Sequence, residues 1–252
     1  MRGCFYGVGV GPGNPELMTL KAVKVIREVP VIAYPGRQPV DSTAWKIAAV
    51  SVPEIRDKEK LGIDLPMTRD AAILKEAHRR SIRQIEELLD LGKSVAYITL
   101  GDPTIYSSYS YLQSALIKDR YPVETVSGVP SFCAAAAKLN IPLSEWKEEL
   151  HIIPAAHIPE SFPSCRGTAV SGEIKKETDI GSSSFRGTVV CMKSGRKLKE
   201  LKERLIRQNM DLYMVMNCGM EGETVCLGAD EIPDDAGYFT ILIAKQKSMT
   251  RD

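Results

Sequence analysis

One stretch of the chain, from Tyr97 to Tyr109, combines glycine, a carboxylate and several hydroxyl groups directly after an apolar run. The apolar run ends at Leu100, and Gly101, Asp102 and Pro103 follow it. Glycine allows a ligand to approach the backbone closely, and proline prevents the strand from continuing. The Asp102 carboxylate is suited to a cation or an amine. The same residues also form ordinary turns, so a binding site and a simple turn both remain open at this point.

The elements around this stretch indicate where such chemistry would be positioned. Apolar runs alternate with helical patterns, which is typical of a parallel sheet covered by helices. Two of these runs, 95–100 and 123–126, end in polar elbows that contain glycine, and the second elbow covers 127–131. Ligands in open α/β sheets bind just beyond the carboxyl ends of the strands. We therefore predict an α/β fold with a ligand site at these two strand ends.

A glycine-rich segment, 7–13, follows the first predicted strand and suggests a dinucleotide-binding loop. The dinucleotide fingerprint requires three glycines at fixed spacing before a helix. Counted from Gly7, the third position holds Pro12, and counted from Gly9 it holds Asn14. A nicotinamide dehydrogenase is therefore disfavoured, and a tight connection between strand and helix explains the glycines equally well.

Composition and charge exclude several classes of protein. The 252 residues include 33 Lys and Arg against 32 Asp and Glu, a balance that disfavours nucleic acid as a partner. Six cysteines are scattered without the C-x-x-C spacing of zinc or redox sites, which predicts no protein-bound metal and a reducing compartment. The apolar stretches are too short for a signal peptide or a membrane span. We expect a cytoplasmic protein that does not bind a membrane.

The pattern changes after Leu143, where clear alternation gives way to a polar region. We place a domain boundary after residue 147. The predicted domains are an N-terminal parallel-sheet α/β domain, 1–147, and a C-terminal mixed-sheet α/β domain, 148–252. The polar stretch 164–184 has no assigned role.

Several passages, taken together, resemble the tetrapyrrole methylase family. They are YGVGVGPGNPELMTLKAV (6–23), TLGDPTIYSSYSYL (99–112), VSGVPSF (126–132), and CMKSGR (191–196) with NCGMEGE (217–223). The resemblance follows nearly the whole chain in order. It is nearest to members that methylate carbon 20 of precorrin-2 or cobalt-factor II in cobalamin (vitamin B12) biosynthesis. It implies two α/β domains with a ligand cleft between them, a tetrapyrrole substrate and a homodimer.

The resemblance also implies S-adenosylmethionine as the methyl donor and S-adenosylhomocysteine as the product. Matched by position in the family motifs, the expected donor contacts are Pro12, Leu100, Gly101, Asp102, Ile105, Tyr106, Ser131, Phe132 and Met192. Asp102 is expected near the methionine end of the donor. The N-terminal glycine loop is expected to serve the tetrapyrrole more than the donor. Any metal would already be inside the macrocycle, so no protein metal ligand is expected.

A tetrapyrrole of this class carries many carboxylates, which pair with arginine and lysine. Three basic residues near predicted strand ends are therefore candidates to bind substrate: Arg37, Lys193 and Arg196. A solvated surface explains the same residues.

The catalytic residue is unknown from the sequence. A sulfonium donor is already activated for methyl transfer. The enzyme mainly has to align the carbon nucleophile with the methyl group and exclude water, so a strong base is not required. No catalytic triad or carboxylate pair is apparent. Candidate helpers for removing the proton are Glu221, Glu223, Tyr106 and Tyr109, and a binding or packing role explains each of them better.

Other functions of the same or a related fold remain open. One alternative is a methyltransferase of the same family that acts on a different precorrin position, or diphthine synthase, which modifies a protein. Another is a non-catalytic module that binds a nucleotide. Competition by a tetrapyrrole with donor-dependent activity would separate diphthine synthase from a methyltransferase that acts on a tetrapyrrole.

Overall fold

The computed structural model describes residues 2–66, 68, 70–158 and 185–247, with the side chain of Arg196 excepted. The predicted polar stretch 164–184 lies outside these residues. The chain divides into two compact units, Met1–Ser131 and Phe132–Asp252. No helix within the described ranges has the length and apolar character needed to cross a membrane.

The described residues of both units form the strands and helices given below, which alternate regularly through the first unit. The strands are β1 Phe5–Gly9, β2 Val31–Pro35, β3 Glu59–Ile63, β4 Val95–Thr99, β5 Val123–Val126, β6 Glu149–Pro154, β7 Gly187–Met192, β8 Met210–Met216, β9 Thr224–Cys226 and β10 Thr240–Gln246. The α-helices are α1 Leu20–Glu28, α2 Thr43–Ser51, α3 Ala71–Asp90, α4 Tyr109–Lys118, α5 Ser131–Leu139 and α6 Leu198–Arg207. Short 3-10 helices cover Pro15–Leu17, Pro39–Asp41, Pro53–Asp57, Ala155–His157, Gly195–Lys197 and Ala229–Glu231.

The first unit contains a five-stranded sheet in the order β3-β2-β4-β1-β5, and every pair of neighbours is parallel. Because β4 and β1 are central, both are buried along nearly their whole length. Gly9 lies opposite Thr99, and Val8 lies opposite Val126. The carboxyl ends of β1, β4 and β5 therefore meet at one edge. The predicted α/β fold with a parallel sheet is confirmed.

Helices cover both faces of this sheet with apolar stripes. On one face, Ile26 of α1 and Trp45 of α2 pack with Val8 and Ile98. On the other face, Ile85 of α3 joins a cluster that includes Phe5 and Leu112.

Helix α3 begins at a clear capping signal in the sequence. The Asp70 carboxylate accepts hydrogen bonds from the backbone N–H groups of Ala72 (2.8 Å) and Ile73 (3.2 Å), which lack partners within the helix. Its buried stripe consists of Ala77, Ser81, Ile85 and Leu89. The opposite side of α3 is exposed and highly charged.

The second unit contains a mixed five-stranded sheet in the order β6-β7-β10-β8-β9. The β6–β7 pair is parallel, and the remaining pairs are antiparallel. Leu201 and Leu205 of α6 pack with Met214 and Leu242 to form the core of this unit.

The division between the units falls earlier than the predicted boundary between residues 147 and 148. The segment that precedes β6 is bound to the second unit by long-range contacts. Lys138 forms an ion pair with Glu223 at 2.8 Å, and the Lys245 ammonium donates to the carbonyl of Pro142 at 2.7 Å. The change in sequence pattern near Leu143 therefore occurs within the second unit.

Candidate active site

Three glycines bring the ends of β1, β4 and β5 into direct backbone contact. A Cβ atom added at Gly9 would lie 2.6 Å from the carbonyl oxygen of Gly101 and from the nitrogen of Gly128. A Cβ atom at Gly128 would lie 2.2 Å from the same Gly101 oxygen. Real Cβ atoms do not approach backbone this closely, so positions 9 and 128 exclude any side chain. We call Gly9, Gly101 and Gly128 the glycine junction.

The N-terminal glycine loop is hydrogen-bonded to the turn that follows β4. Gly11 donates to the carbonyl of Gly101 at 3.3 Å, and Gly101 donates back to Gly11 at 2.8 Å. Both residues have left-handed backbone, with φ of +79° at Gly11 and +70° at Gly101, which glycine adopts at little cost. Pro12, an expected donor contact, follows this bridge and is buried.

The Asp102 carboxylate is occupied by donors from the protein itself. It accepts hydrogen bonds from the backbone N–H of Thr104 at 2.7 Å, from the Thr104 hydroxyl at 2.5 Å, and from the N–H of Gly128 at 3.0 Å. The residue is only 7% exposed. A carboxylate offers about four acceptor positions, so most of them are used within the first unit. In the structure, Asp102 joins the elbow after β4 to the elbow after β5.

Hydroxyl groups attach the next segment to β4 and start α4. Thr99 shares a hydrogen bond with Ser107 at 3.2 Å, and the Ser107 hydroxyl accepts from the N–H of Tyr109 at 3.2 Å. The phenol of Tyr97 shares a hydrogen bond with Ser108 at 3.0 Å. Burial raises the pKa of Tyr97, so this phenol stays protonated at neutral pH. The hydroxyl-rich pattern of 104–110 thus fixes the shape of the elbow.

Tyr106 lies in this elbow with an unusual backbone conformation. Its φ is +47°, in the left-handed region that is costly for a bulky residue, and its side chain is exposed. Residues held in such conformations cluster at functional sites. Leu100 and Ile105, two further expected donor contacts, are half-buried on either side of the turn.

Gly101 is buried, but a Cβ atom added there would not clash with its neighbours. A Cβ atom at this position would meet no atom closer than 3.9 Å, and the nearest is the backbone nitrogen of Ser131. The turn therefore places buried backbone next to the half-buried apolar side chains of Leu100 and Ile105. The first unit brings together seven of the expected donor contacts: Pro12, Leu100, Gly101, Asp102, Ile105, Tyr106 and Ser131.

The two remaining expected contacts belong to the second unit. Phe132 is buried in α5, one residue after Ser131. Met192 is buried at the end of β7, where it pairs with Ile241 of β10. Their assignment to the donor remains a prediction from the family resemblance.

Two of the basic candidates for substrate binding, Arg37 and Lys193, lie on the surface. The side chain of Arg37 is 81% exposed, and its Nε lies 2.7 Å from Oδ2 of Asp64 in an ion pair. Lys193 is exposed, has φ of +59°, and holds its ammonium 5.8 Å from the ring centre of Tyr238. The side chain of Arg196 lies outside the described part of the chain.

The candidate helpers for proton removal differ in their surroundings. Tyr109 is buried against Phe5, and its hydroxyl shares a 2.8 Å hydrogen bond with Thr125, which favours a packing role. Glu221 is exposed.

Glu223 is held as an anion in the second unit. Its carboxylate accepts from Lys138 and from the N–H of Gly219 at 2.6 Å. The Lys138 hydrogen bond first, and then the Gly219 N–H, lower the pKa of Glu223. A lowered pKa makes Glu223 a weaker base.

Within the described residues, no group of three or more His, Cys, Asp or Glu side chains is arranged to hold a metal ion.

Sequence reasoning missed the residues that connect the elbows to one another. Gly9 and Gly128 form the junction, while Thr104 and Ser107 hold the polar side chains in place. One signal was available, since a glycine lies at or just after the end of three separate apolar runs.

This arrangement of two α/β units, with glycine elbows at the strand ends of the first, defines a class of enzymes. The chain belongs to the tetrapyrrole (corrin/porphyrin) methylase family, whose sequence model matches residues 4–229. A protein of Methanocaldococcus jannaschii named probable cobalt-precorrin-2 C(20)-methyltransferase is 34% identical over 249 residues, covering 96% of this chain and 95% of the relative. A Sinorhizobium protein named precorrin-2 C(20)-methyltransferase is 26% identical, covering 96% and 94% of the two chains.

A solved structure shares the fold. It is the uroporphyrin-III C-methyltransferase of Thermus thermophilus complexed with S-adenosylhomocysteine, with a TM-score of 0.64 and 20% identity. The match covers 96% of this chain and 97% of that one.

Proposed function

We propose that this protein transfers a methyl group from S-adenosylmethionine to carbon 20 of precorrin-2 or its cobalt-containing counterpart, in cobalamin biosynthesis. One observation carries the proposal. A relative named for this activity is 34% identical along almost the whole length of both chains. The motif around Gly101 and Asp102, which suggested this reaction in the sequence, is also closely packed against Gly9 and Gly128 in the first unit.

The residues around Gly101 fit a methyl donor of this kind. S-adenosylmethionine, when bound, supplies a methyl group on a positively charged sulfur. We infer that the backbone of Gly101, the apolar side chains of Leu100 and Ile105, and Ser131 hold it. Tyr106 and Pro12 would be the remaining residues of the first unit that contact S-adenosylmethionine. The glycine junction keeps this surface rigid, because the turns cannot separate without breaking hydrogen bonds to Asp102 and Gly11.

The chain's chemical task after binding is modest. It must hold carbon 20 in line with the methyl group and exclude water. The proton that carbon 20 loses needs an acceptor, and a weak base is sufficient because the macrocycle is electron-rich. Arg37, Lys193 and Arg196 remain our candidates for the substrate's carboxylates. A homodimer and a cytoplasmic location are further expectations from the family resemblance.

Transfer of labelled methyl groups from S-adenosylmethionine tests the proposal. Metal-free precorrin-2 and cobalt-factor II are offered side by side under anaerobic conditions. Label at carbon 20 of one product supports the reaction and identifies the branch of the pathway. Label at another carbon, or on an added protein substrate, would assign a different methyltransferase activity. Donor binding without transfer to any acceptor would favour a non-catalytic module.

The Arg37 assignment has its own test. Arg37→Ala is expected to raise the KM for the tetrapyrrole and to leave donor affinity unchanged. Asp64→Asn is the matched variant, since it frees Arg37 from its surface ion pair without removing the guanidinium. Unchanged kinetics in Arg37→Ala would remove this residue from the substrate site.

A further inference from the structure

A second concave surface lies in the first unit, between α3 and α4. It is a groove of about 900 Å³, at the upper end of the range for small-molecule sites. At one end it is lined by Leu65 and Thr68, which follow β3, and by Ser108, which follows β4. The groove therefore starts at the carboxyl edge of the sheet, next to the elbow that contains Tyr106.

Three cations form a row along the groove. Lys75, Arg79 and Arg83 lie at spacing i, i+4 and i+8 on α3, and all three are exposed. Arg79 forms an ion pair with Glu76, and both partners are more than half exposed. Within the part of the chain that the structure describes, Lys75 and Arg83 form no ion pair. We call these three residues the cation row.

The stability of α3 does not explain the cation row. Like charges four residues apart repel each other on a helix. The charges also run against the helix dipole, because the last turn contains Glu87 and Asp90 and no basic residue. The spacing therefore leaves exposed positive charge along one side of α3, where it is available to an anion.

An aromatic pair lies beside the cation row. His78 of α3 and Tyr111 of α4 are stacked, with ring centres 4.8 Å apart and planes 21° apart. Tyr111 is nevertheless 61% exposed, which is high for a large aromatic side chain. Leu74 and Ile82 extend the apolar floor. The groove thus combines a flat aromatic surface with a line of positive charge.

We propose that this groove is a binding subsite for a planar macrocycle with several carboxylates, and that the cation row pairs with those carboxylates while the His78–Tyr111 pair contacts the ring. This inference rests on the proposed function, because the ligand it describes is the tetrapyrrole substrate class. Arginine pairs well with carboxylates, and an exposed aromatic face suits a flat ring system. One lining residue of the groove, Ser108, lies two residues after Tyr106 in the elbow that follows β4.

The chemistry of the groove predicts a preference by charge. A macrocycle with more carboxylates can engage more members of the cation row, so affinity rises with carboxylate number and falls with salt. The far end of the groove carries Glu86 and Asp119, which repel an anion. The ligand's carboxylates are therefore directed to the end nearest Ser108.

Equilibrium binding of two stable porphyrins to the full chain tests the proposal. The probes are uroporphyrin, an octacarboxylate, and coproporphyrin, a tetracarboxylate, with porphyrin fluorescence as the readout. Wild type is expected to bind uroporphyrin more tightly. Lys75→Ala is expected to raise its Kd by about tenfold, as expected for loss of a charge-assisted contact, and Lys75→Ala with Arg79→Ala to raise it further. Arg207→Ala, an exposed arginine on α6, is the matched control and should leave the Kd unchanged. Circular dichroism checks that each variant folds.

Different results identify different failures. No binding of uroporphyrin by wild type, or an equal Kd in wild type and the double variant, would overturn the subsite. A double variant that changes from dimer to monomer in sedimentation, with porphyrin affinity intact, would instead assign the groove to a second copy of the chain. Methyl transfer to carbon 20 by wild type, with an unchanged tetrapyrrole KM in the double variant, would overturn the subsite and leave the proposed function standing. Absence of methyl transfer, with porphyrin binding lost in the double variant, would overturn the proposed function alone.

Discussion

The carboxylate of Asp102 accepts a hydrogen bond from the backbone N–H of Gly128 at 3.0 Å, and this bond connects two strands that are not neighbours. Asp102 follows β4 and Gly128 follows β5, while β1 lies between them in the sheet. The connection therefore passes over the end of β1, where Gly9 lies. This crossing explains why a side chain at Gly9 would collide with both elbows.

Replacing the Asp102 carboxylate with an amide is expected to destabilise the first unit. Asp102→Asn keeps the shape but converts one acceptor oxygen into a donor, which then faces an N–H of Thr104 or Gly128. We expect a loss of about 1–3 kcal/mol in the free energy of unfolding, measured by urea titration. Asp211→Asn, on the exposed side of β8, should change it little. A loss of donor affinity with stability unchanged would contradict the structural role of Asp102.

A methyl group at the glycine junction is expected to be poorly tolerated. Gly128→Ala places a Cβ atom 2.2 Å from the Gly101 oxygen, so the turns must move apart. Overpacking of this kind costs about 1–3 kcal/mol, and the rearranged turn should also weaken donor binding. Gly228→Ala is a close control, because its Cβ would meet nothing within 4 Å and its backbone is extended. Equal stability of the two variants would show that the junction is looser than its contacts indicate.

Relief of the backbone strain at Tyr106 should separate stability from donor binding. Tyr106→Gly permits φ of +47° without the steric cost, which is about 1–3 kcal/mol for such residues, and loses the ring. We expect stability to be retained or raised while the Kd for S-adenosylhomocysteine, measured by calorimetry, rises by about tenfold, since a contacting side chain is gone.

Arg120→Gly provides the comparison for Tyr106. Arg120 has φ of +61° just beyond α4, where Tyr121 donates to Leu116 in the usual helix-ending pattern. Glycine there should stabilise the unit by about 1 kcal/mol and leave donor affinity unchanged. Donor affinity retained in Tyr106→Gly would remove Tyr106 from the donor site.

The ion pair of Glu223 predicts a pH-dependent contribution to stability. Because the pKa of Glu223 is lowered in the folded state, its contribution is fully present above the ordinary value of 4.5 and is lost as pH falls through the folded pKa. Wild type should exceed Glu223→Gln in unfolding free energy near neutral pH. The difference should shrink as the pH is lowered below about 4.5. A difference for Glu223→Gln that stays constant over this pH range would argue against the ion pair.

The architecture of the first unit could be predicted because its signals are local. The capping residue Asp70 and the stripe of α3 are both visible in the sequence, as are the apolar runs of β4 and β5 ending in glycine. Strand β3 gives no such signal, because it is an edge strand whose residues Glu59 and Lys60 are exposed. Burial on one side only leaves too few apolar residues to form a pattern.

The hydrogen bonds and ion pairs between distant segments could not be predicted, for a different reason. The partner of Asp102 is a backbone N–H on a distant segment, and every residue except proline carries an N–H. The sequence therefore indicated that the Asp102 carboxylate binds a partner, but it did not indicate which group donates the hydrogen bond. The ion pair between Lys138 and Glu223 is likewise distant in sequence, so the attachment of 132–148 to the second unit became visible only in the fold.

The bridge between Gly11 and Gly101 also has a consequence for how the chain folds. It joins the turn after β1 to the turn after β4. The neighbouring hydrogen bond, from the Gly128 N–H to the Asp102 carboxylate, can form only once β5 is in place, because Gly128 follows that strand. Closing such long loops costs chain entropy before any contact repays it, so these bonds form late. During synthesis, a ribosome-bound chain that has not yet released Gly128 can contain α1 to α4 and β1 to β4 but lacks the hydrogen bond between Gly128 and Asp102. The candidate site is therefore complete only after β5 and the elbow that follows it have joined the sheet.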